Sequence, residues 1–277
     1  MNNFIFFGTD DFSIEVLNTL LEKGFKPHSC ITQPDRPKGR NLVLTAPEIK
    51  LFCHKNNILV LQPEILNLDT IPVADYFVVA SYGRIIPKEI VELPRLGTLN
   101  IHPSLLPKHR GASPIEAVIL NNEKETGVTI MLMDEKMDHG PIIKQKKVSF
   151  ETWPNKMAIR KQMAKIGGEM LVEIIPKMIS GEMKTIKQNH DEATFTKMLK
   201  KADGKINLED DPEKNYLKYI ALNPWPGTFF FIKKDGRDMR VKIKEAVLEN
   251  NEFLIKKVIP EGKSEMTFKS FENGYLK

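Results

Sequence analysis

Apolar runs and stretches of helical periodicity alternate through the first half of the chain. Residues 4–7 form an apolar run that ends at Gly8, and Thr9 or Asp10 can cap a following helix that Gly24 stops. The same patterns predict strands at 29–32, 59–61, 76–80, 97–102 and 127–133, with helices at 46–55, 87–93 and 114–121. This alternation predicts an α/β fold whose mostly parallel sheet is covered by helices on both faces. In such sheets, ligands bind beyond the carboxyl ends of the strands.

The second half begins with one long helical pattern and ends with strand patterns. Apolar residues recur at helical spacing through 155–180, and a polar, lysine-rich segment at 181–204 is interpreted as a linker. A short helix is predicted at 212–222, and the short strands predicted after it, through 258, favour a small β-barrel or sandwich. We therefore expect one domain over 1–180, the linker over 181–204 and a second domain over 205–277.

One of the predicted C-terminal strands has a basic face. Its side chains alternate between an apolar set and a basic set, namely Met239, Val241 and Ile243 against Arg240, Lys242 and Lys244. Because successive side chains of a strand point to opposite faces, one face would be buried and the other positively charged. Taken alone, this segment favours a solvated surface.

Length, composition and charge indicate a two-domain globular protein. The chain has 277 residues, of which 41% are hydrophobic and 28% charged, so it is long enough for two domains. The formal net charge of +5 permits an anionic partner without requiring one. We expect a cytoplasmic protein without a membrane partner, because no apolar run approaches the roughly 20 residues of a membrane helix and the N-terminus lacks a basic leader pattern. Cys30 and Cys53 lie in apolar surroundings and are expected to be reduced core residues.

Polar groups accumulate where the predicted strand at 97–102 ends. Asn100 and His102 would share one face of that strand while Leu99 and Ile101 point to the other, and Pro103 then ends the hydrogen-bonded ladder. Asp138 follows about thirty-six residues later in a Met-Asp-His-Gly-Pro segment. Packing alone does not require an amide, an imidazole and a carboxylate at such positions.

Several kinds of chemistry do not fit these residues. Gly8-Thr9-Asp10 lacks the remaining glycines of a dinucleotide fingerprint and the Gly-Lys-Ser/Thr of a phosphate-binding loop. The spacing of His102 and His109 does not suit a helical metal-binding pair, and no Gly-x-Ser-x-Gly elbow is present. The remaining Asn, His and Asp suit a direct reaction between two bound substrates. The amide can donate to a developing oxyanion, the imidazole can exchange a proton, and the carboxylate can hold the imidazole or accept protons.

The sequence around these groups resembles the formyltransferases that use 10-formyltetrahydrofolate. The resemblance rests on 100–115 (Asn-Ile-His-Pro-Ser-Leu-Leu-Pro-Lys-His-Arg-Gly-Ala-Ser-Pro-Ile), 126–130 (Thr-Gly-Val-Thr-Ile) and 137–140 (Met-Asp-His-Gly). Three more segments are similar to the branch of that family that formylates methionyl-tRNA: Phe7-Gly8-Thr9 with Phe12, 33–40 (Gln-Pro-Asp-Arg-Pro-Lys-Gly-Arg) and 223–227 (Asn-Pro-Trp-Pro-Gly).

The resemblance implies a Rossmann-like catalytic domain followed by a small C-terminal β-barrel, similar to an OB fold, that binds tRNA. The family's catalytic positions correspond to Asn100, His102 and Asp138. Its folate-binding positions correspond to Ser104, Leu105, Leu106 and Pro107, and to Tyr82, Gly83 and Ile85 beside the pterin pocket. Phosphate contacts, which position RNA without reading its sequence, are expected from Arg36, Lys38, Arg40, Arg240, Lys242 and Lys244.

The implied reaction transfers the formyl group of 10-formyltetrahydrofolate, a co-substrate, to the α-amino group of initiator methionyl-tRNA. We expect a monomer that needs no metal. A formyltransferase acting on a nucleotide-linked amino sugar is the nearest alternative, and a glycinamide ribonucleotide formyltransferase is a further one. A tRNA-binding protein without catalysis is the alternative of another class.

Overall fold

The computed structural model describes residues 3–38 and 42–276, and the chain folds into two compact units. Unit 1 contains residues 1–114, 125–149 and 157–196. Unit 2 contains residues 115–124, 150–156 and 197–277. Unit 2 therefore combines the C-terminal part of the chain with two short segments from its middle.

A seven-stranded sheet forms the centre of unit 1. In chain order, the strands of this unit are β1 (Phe4–Gly8), β2 (Ser29–Ile31), β3 (Arg36–Lys38), β4 (Val43–Thr45), β5 (Leu59–Leu61), β6 (Tyr76–Ala80), β7 (Thr98–His102), β8 (Arg110–Gly111), β9 (Glu125–Leu132), β10 (Ile142–Ser149) and β11 (Phe195–Thr196). The large sheet has the order β10-β9-β7-β6-β1-β2-β5, and its neighbours are parallel from β7 to β5. β9 runs antiparallel to both of its neighbours in this sheet, β7 and β10. The predicted mostly parallel α/β sheet is confirmed.

Helices occur in both units, and those of unit 1 connect and cover the strands of its sheet. Along the chain they are α1 (Asp11–Glu22), α2 (Glu48–Lys55), α3 (Lys88–Val91), α4 (Pro114–Leu120), α5 (Lys156–Ile179), α6 (Pro212–Leu222) and α7 (Phe268–Tyr275). As the sequence predicts, Asp10 caps α1 by accepting a hydrogen bond from the Ser13 N–H, and Gly24 follows the helix at φ +81°. No helix within the described ranges combines the length and apolar character needed to cross a bilayer.

Close packing of α5 shows which face of β7 lies against this helix. A Cβ atom added at Gly167 would lie 2.6 Å from Cγ2 of Ile101, so glycine allows the helix backbone to approach the strand. Leu99 and Ile101 are buried. As a result, Asn100 and His102 are left on the opposite face of β7, as the alternation predicts.

Unit 2 contains a four-stranded antiparallel sheet. Its strands are β12 (Thr228–Lys234), β13 (Arg237–Glu249), β14 (Glu252–Pro260) and β15 (Met266–Thr267), in that spatial order. Side chains of this sheet pack with Phe271 of α7 into a core that includes Phe230, Val241, Ile243 and Val258. Strands were expected here, whereas closure into a barrel stays a prediction.

Several of the observed elements differ from the sequence predictions. β13 has 13 residues instead of being short, because register shifts between Ile243 and Ala246 let one strand bend and continue. α7 was missed because Phe271 is its one fully buried side chain. β10 was missed because it is an edge strand whose lysines at 144, 146 and 147 interrupt the apolar pattern. The hairpin of β3 and β4 lies in a stretch where no strand was predicted.

Candidate active site

The end of β7 brings the three predicted catalytic residues together. Asn100 Nδ2 donates a hydrogen bond to Asp138 Oδ1 over 3.4 Å. His102 Nδ1 lies 3.5 Å from the same oxygen. The His102 and Asp138 side chains are 5% and 12% exposed, so solvent screens these contacts only weakly. One carboxylate oxygen thus faces both the amide and the imidazole.

The Asp138 carboxylate is held from its other side by backbone. The Gly111 N–H donates to Asp138 Oδ2 over 2.7 Å, a charge-assisted bond of the stronger class. Gly111 has φ +110°, and a Cβ there would collide with the carbonyl oxygen of Thr196. Asp138 itself has φ +50°, in the left-handed region that few residues other than glycine adopt. The position of this carboxylate therefore depends on an unusual turn and on a glycine.

The partners of His102 determine where its ring can carry protons. His102 Nε2 lies 2.9 Å from the backbone carbonyl oxygen of His109. Because a carbonyl only accepts hydrogen bonds, Nε2 is assigned the hydrogen. Nδ1 is then the nitrogen that gains or loses a proton, and it faces the Asp138 carboxylate. When both nitrogens are protonated, each N–H points at an acceptor.

The predicted folate segment is clamped by neighbouring strands. Thr129 Oγ1 donates to the Ser104 carbonyl over 2.6 Å and accepts from the Leu106 N–H over 3.2 Å. Gln145 Nε2 donates to the Leu106 carbonyl over 2.8 Å. Ser104 and Leu106 are buried, whereas Leu105 and Pro107 are half-buried. These hydrogen bonds hold the backbone of the segment in place and leave Leu105 and Pro107 partly accessible to a ligand.

The second predicted folate segment follows β6. The Tyr82 carbonyl accepts from Thr9 Oγ1 over 2.7 Å and from Gln33 Nε2 over 2.8 Å. The Tyr82 ring is a core side chain that packs edge-on against Phe7, and burial raises the pKa of its phenol. Gly83 adopts φ +76° and Ile85 is 85% exposed. A role for this loop in binding folate stays a prediction.

The predicted RNA-contacting residues fall into two groups. Arg36 is exposed in the hairpin of β3 and β4, whereas Arg40 and the side chain of Lys38 lie outside the described residues. On β13, Lys242 and Lys244 are exposed. Arg240 instead places its guanidinium carbon 3.6 Å from the centroid of the Phe229 ring and is half-buried, so cation–π packing engages it.

Two buried residues behind Asp138 were missed as functional candidates. Arg110 is 3% exposed and Gln188 is 6% exposed, and they are hydrogen-bonded to each other. Gln188 lies in the segment that was predicted as a linker, although residues up to 196 belong to unit 1. Arg110 stands within the family-like motif, but a single sequence carries no signal that joins it to a residue 78 positions away.

Two histidines complete the polar cluster around Arg110. The rings of His139 and His190 stack with centroids 4.0 Å apart, and His139 Nδ1 lies 2.6 Å from Asp134 Oδ2. Desolvation lowers the pKa of His190, and the nearby His139 and Arg110 lower it further. A neutral His190 can accept a hydrogen bond at Nδ1, which lies 2.9 Å from Arg110 Nη2. Desolvation also lowers the pKa of Arg110, which Asp138 and Asp134 oppose.

These features define a class of protein. The amide, imidazole and carboxylate lie at the carboxyl end of a central strand in a mostly parallel sheet, where such folds bind ligands. The amide can stabilise an oxyanion and the other two groups can manage protons. The fold and site are those of an α/β enzyme suited to acyl transfer between two bound substrates.

Comparison with known proteins gives the family. Residues 2–175 match the family described as formyl transferase, and residues 198–254 match the formyl transferase C-terminal domain. The chain therefore belongs to the formyl transferase family. A methionyl-tRNA formyltransferase of Thermodesulfovibrio yellowstonii is 39% identical over 98% of this chain and 95% of that protein.

Solved structures show the same fold. A methionyl-tRNA formyltransferase from Clostridium thermocellum superposes with a TM-score of 0.62 at 20% identity, covering 94% of this chain and 99% of that one. WlaRD, a sugar 3N-formyl transferase determined in the presence of dTDP and 5-N-formyl-THF, superposes with a TM-score of 0.63 at 21% identity, covering 94% and 93%. At these identities the likeness concerns the fold alone.

Proposed function

We propose that this chain transfers the formyl group of 10-formyltetrahydrofolate to the α-amino group of initiator methionyl-tRNA. The observation that carries the proposal is the convergence of Asn100 and His102 on one Asp138 oxygen at the carboxyl end of β7. The amine acceptor is inferred from the curated relative, which aligns with this chain over nearly its whole length. The product would be formylmethionyl-tRNA for translation initiation.

The donor set fits a formyl donor. In the described part of the chain, the Asn100 side chain makes one hydrogen bond, to Asp138, which leaves its second N–H for a formyl oxygen. The clamped segment Ser104–Pro107 and the loop of Tyr82, Gly83 and Ile85 would hold the folate. When bound, 10-formyltetrahydrofolate supplies an electrophilic formyl carbon attached to N10.

Each catalytic residue then has a defined task. Asn100 donates to the negative charge that develops on the formyl oxygen when the amine attacks. His102 carries its exchangeable proton at Nδ1, so a protonated ring adds positive charge beside the same centre. Asp138 orients that ring and accepts a proton from the substrate ammonium, directly or through water, which frees the neutral amine to attack. Overall, a new C–N bond forms to the amino group, the bond to N10 breaks, and the proton lost by the amine replaces the formyl group on N10.

A substrate comparison tests the proposal. The purified chain is incubated with 10-formyltetrahydrofolate and, separately, methionyl-tRNA, a nucleotide-linked amino sugar or glycinamide ribonucleotide, and the formylated product is measured. Formylation of methionyl-tRNA is expected. Formylation of the sugar or the ribonucleotide in its place would assign the chain to one of the alternative activities, and tRNA binding without any formylation would identify a non-catalytic protein.

We propose that unit 2 contacts the tRNA backbone through the exposed face of β13. Lys242 and Lys244 are exposed and form no ion pair within the described residues. Free lysines on a strand face can follow a line of phosphates, and each phosphate contact adds to the salt dependence of binding. Arg36 provides a separate cation on the hairpin of unit 1.

Replacing both lysines should therefore weaken tRNA binding and reduce its dependence on salt concentration. In the Lys242→Ala, Lys244→Ala double variant, the slope of log K against log salt should become shallower by about one per lysine. The measurement is a titration of methionyl-tRNA at several salt concentrations. The matched control is Lys233→Ala with Lys256→Ala, since these lysines already pair with Asp238 and Glu249. Equal slopes for the two double variants and the wild type would show that Lys242 and Lys244 do not contact the tRNA. The Arg36→Ala variant would then test whether the hairpin of unit 1 does.

A further inference from the structure

The turn that carries Asp138 needs support from outside itself. Asp138 adopts φ +50°, a conformation that costs free energy in residues other than glycine. Two residues further on, Gly140 is so close to β9 that a Cβ atom would collide with the carbonyl oxygen of Leu132. The turn is thus pressed against the sheet on one side, while its backbone carbonyls face another part of the chain.

One amide group satisfies two carbonyls of this turn. Gln188 Nε2 donates to the Asp138 carbonyl over 2.9 Å and to the Gly140 carbonyl over 2.7 Å. Gln188 is 6% exposed, so these carbonyls have a buried donor in place of water. Loss of that donor would leave buried acceptors unsatisfied on both sides of His139.

Arg110 sets the direction in which the Gln188 amide points. Arg110 Nη2 and Nε donate to Gln188 Oε1 over 2.6 Å and 3.2 Å. A guanidinium has only donors, so the amide oxygen must face Arg110 and the amide nitrogen must face the turn. The next residue, Gly111, donates its own N–H to the Asp138 carboxylate. The dipeptide Arg110-Gly111 therefore holds both the side chain and, through Gln188, the backbone of Asp138.

A short parallel pairing attaches the Gln188 segment to this dipeptide. β11 pairs with β8, with Phe195 opposite Arg110 and Thr196 opposite Gly111. The Arg110 N–H also donates to the Thr194 carbonyl over 2.9 Å. These hydrogen bonds attach the chain segment that contains Gln188 to the Arg110-Gly111 dipeptide.

We propose that Gln188 is a positioning residue, which holds the Asp138–Gly140 turn so that the Asp138 carboxylate faces Asn100 and His102, with buried Arg110 orienting its amide. The inference rests on the proposed formyl transfer, because its kinetic consequence is a change in that reaction. The segment around Gln188, which the sequence pattern presents as a linker, would then take part in positioning the catalytic carboxylate.

Two substitutions separate positioning from general stability. Gln188→Glu keeps oxygen acceptors for Arg110 but removes both N–H donors, whereas Gln188→Met removes donors and acceptor together. For Gln188→Glu, kcat is expected to fall about tenfold to a hundredfold, as displaced catalytic groups typically cause, with KM for both substrates within about twofold. Its Tm should fall by less than that of Gln188→Met, because the Arg110 charge keeps a partner although the two carbonyls lose their donor. Gln188→Met should show a similar loss of kcat and a lower Tm.

Hydrogen exchange supplies a readout that needs no substrate. Peptides covering residues 132–142 should exchange faster in Gln188→Glu, including the Leu132 N–H that is bonded to the Pro141 carbonyl, while peptides of the remaining sheet are unchanged. Asn189→Ala is the matched control, because that neighbouring side chain is exposed and its hydrogen bonds among the described residues stay within its own turn, to Glu192 and Asp191. It should match the wild type in exchange and in turnover.

The outcomes are separable. If wild-type protein does not formylate methionyl-tRNA, the proposed function fails, and the exchange data still decide the role of Gln188. Unchanged exchange at 132–142 in Gln188→Glu, or a kcat within about twofold of wild type, would overturn the positioning role. A rise in KM with kcat unchanged would also overturn it, because it would point to substrate binding.

Discussion

Replacing Asn100 with alanine is expected to lower kcat by about a hundredfold or more, since loss of one oxyanion donor typically costs about 2.7 to 4 kcal/mol of transition-state stabilisation. The physical reason is that the Asn100 amide is rigidly placed before the reaction begins. Asp138 accepts one of its hydrogens over 3.4 Å, and β7 fixes its backbone between β6 and β9. The donor therefore needs no reorganisation as negative charge develops on the formyl oxygen.

The prediction is checked by initial rates at saturating concentrations of both substrates, together with Tm. KM should change little if Asn100 acts mainly in the transition state. Asn18→Ala is a suitable control, because Asn18 is also in unit 1 but bonds to Glu22 on the same helix. An Asn100→Ala variant that keeps kcat within about threefold of the wild type would contradict the assignment of the oxyanion donor.

The arrangement around β7 could be predicted from the sequence because it depends on local periodicity. Strand alternation places Asn100 and His102 on one face and Leu99 and Ile101 on the other, and Ile101 packs against Gly167 of α5. The cap at Asp10 and the bounds of β5, β6 and α6 follow from equally local signals. These elements match because short-range propensity and tertiary packing favour the same conformation.

The support behind the site could not be predicted in this way. Gln188 reaches Asp138 from 50 positions away, and Arg110 reaches Gln188 across 78 positions. Neither residue has an unusual local pattern, and a buried arginine is contrary to the ordinary preference of that residue type for the surface. The same holds for Thr129, whose hydroxyl joins Ser104 and Leu106 across 25 and 23 positions. Such contacts are defined by the sheet order, which periodicity does not specify.

The Asp138 carboxylate accepts hydrogen bonds at both oxygens, from Asn100 and from the Gly111 N–H, and its backbone adopts a left-handed conformation, which together limit how it can be tested by mutation. A truncation to alanine would remove the carboxylate and would also place alanine at φ +50°, where a Cβ without a compensating polar group is disfavoured by roughly 1–2 kcal/mol. Loss of activity in that variant would mix chemistry with a disturbed turn. Asparagine tolerates the left-handed region as aspartate does, so Asp138→Asn isolates the charge.

Asp138→Asn is expected to lower kcat by about a hundredfold to ten-thousandfold, the range typical for a lost general acid or base. The amide oxygen can still accept the Gly111 N–H, so the turn and the KM values should persist. The amide nitrogen, however, would face Asn100 Nδ2 and His102 Nδ1 as a donor, and no negative charge would remain to receive a proton from the ammonium or to hold a protonated ring. Steady-state rates with methionyl-tRNA, and Tm, measure the two effects separately.

Asp235→Asn is the matched control for this charge removal. Asp235 also lies at positive φ, +51°, but it is exposed in the turn between β12 and β13. It should therefore show the effect of an Asp-to-Asn change in a left-handed turn without loss of turnover. If Asp138→Asn lost no more activity than this control, proton transfer would not depend on the Asp138 carboxylate, and the imidazole of His102 would have to act on the ammonium without it. If both kcat and Tm fell in Asp138→Asn, the carboxylate would be needed to hold the turn itself. A large fall in kcat with a preserved Tm is the result that supports its role in proton transfer.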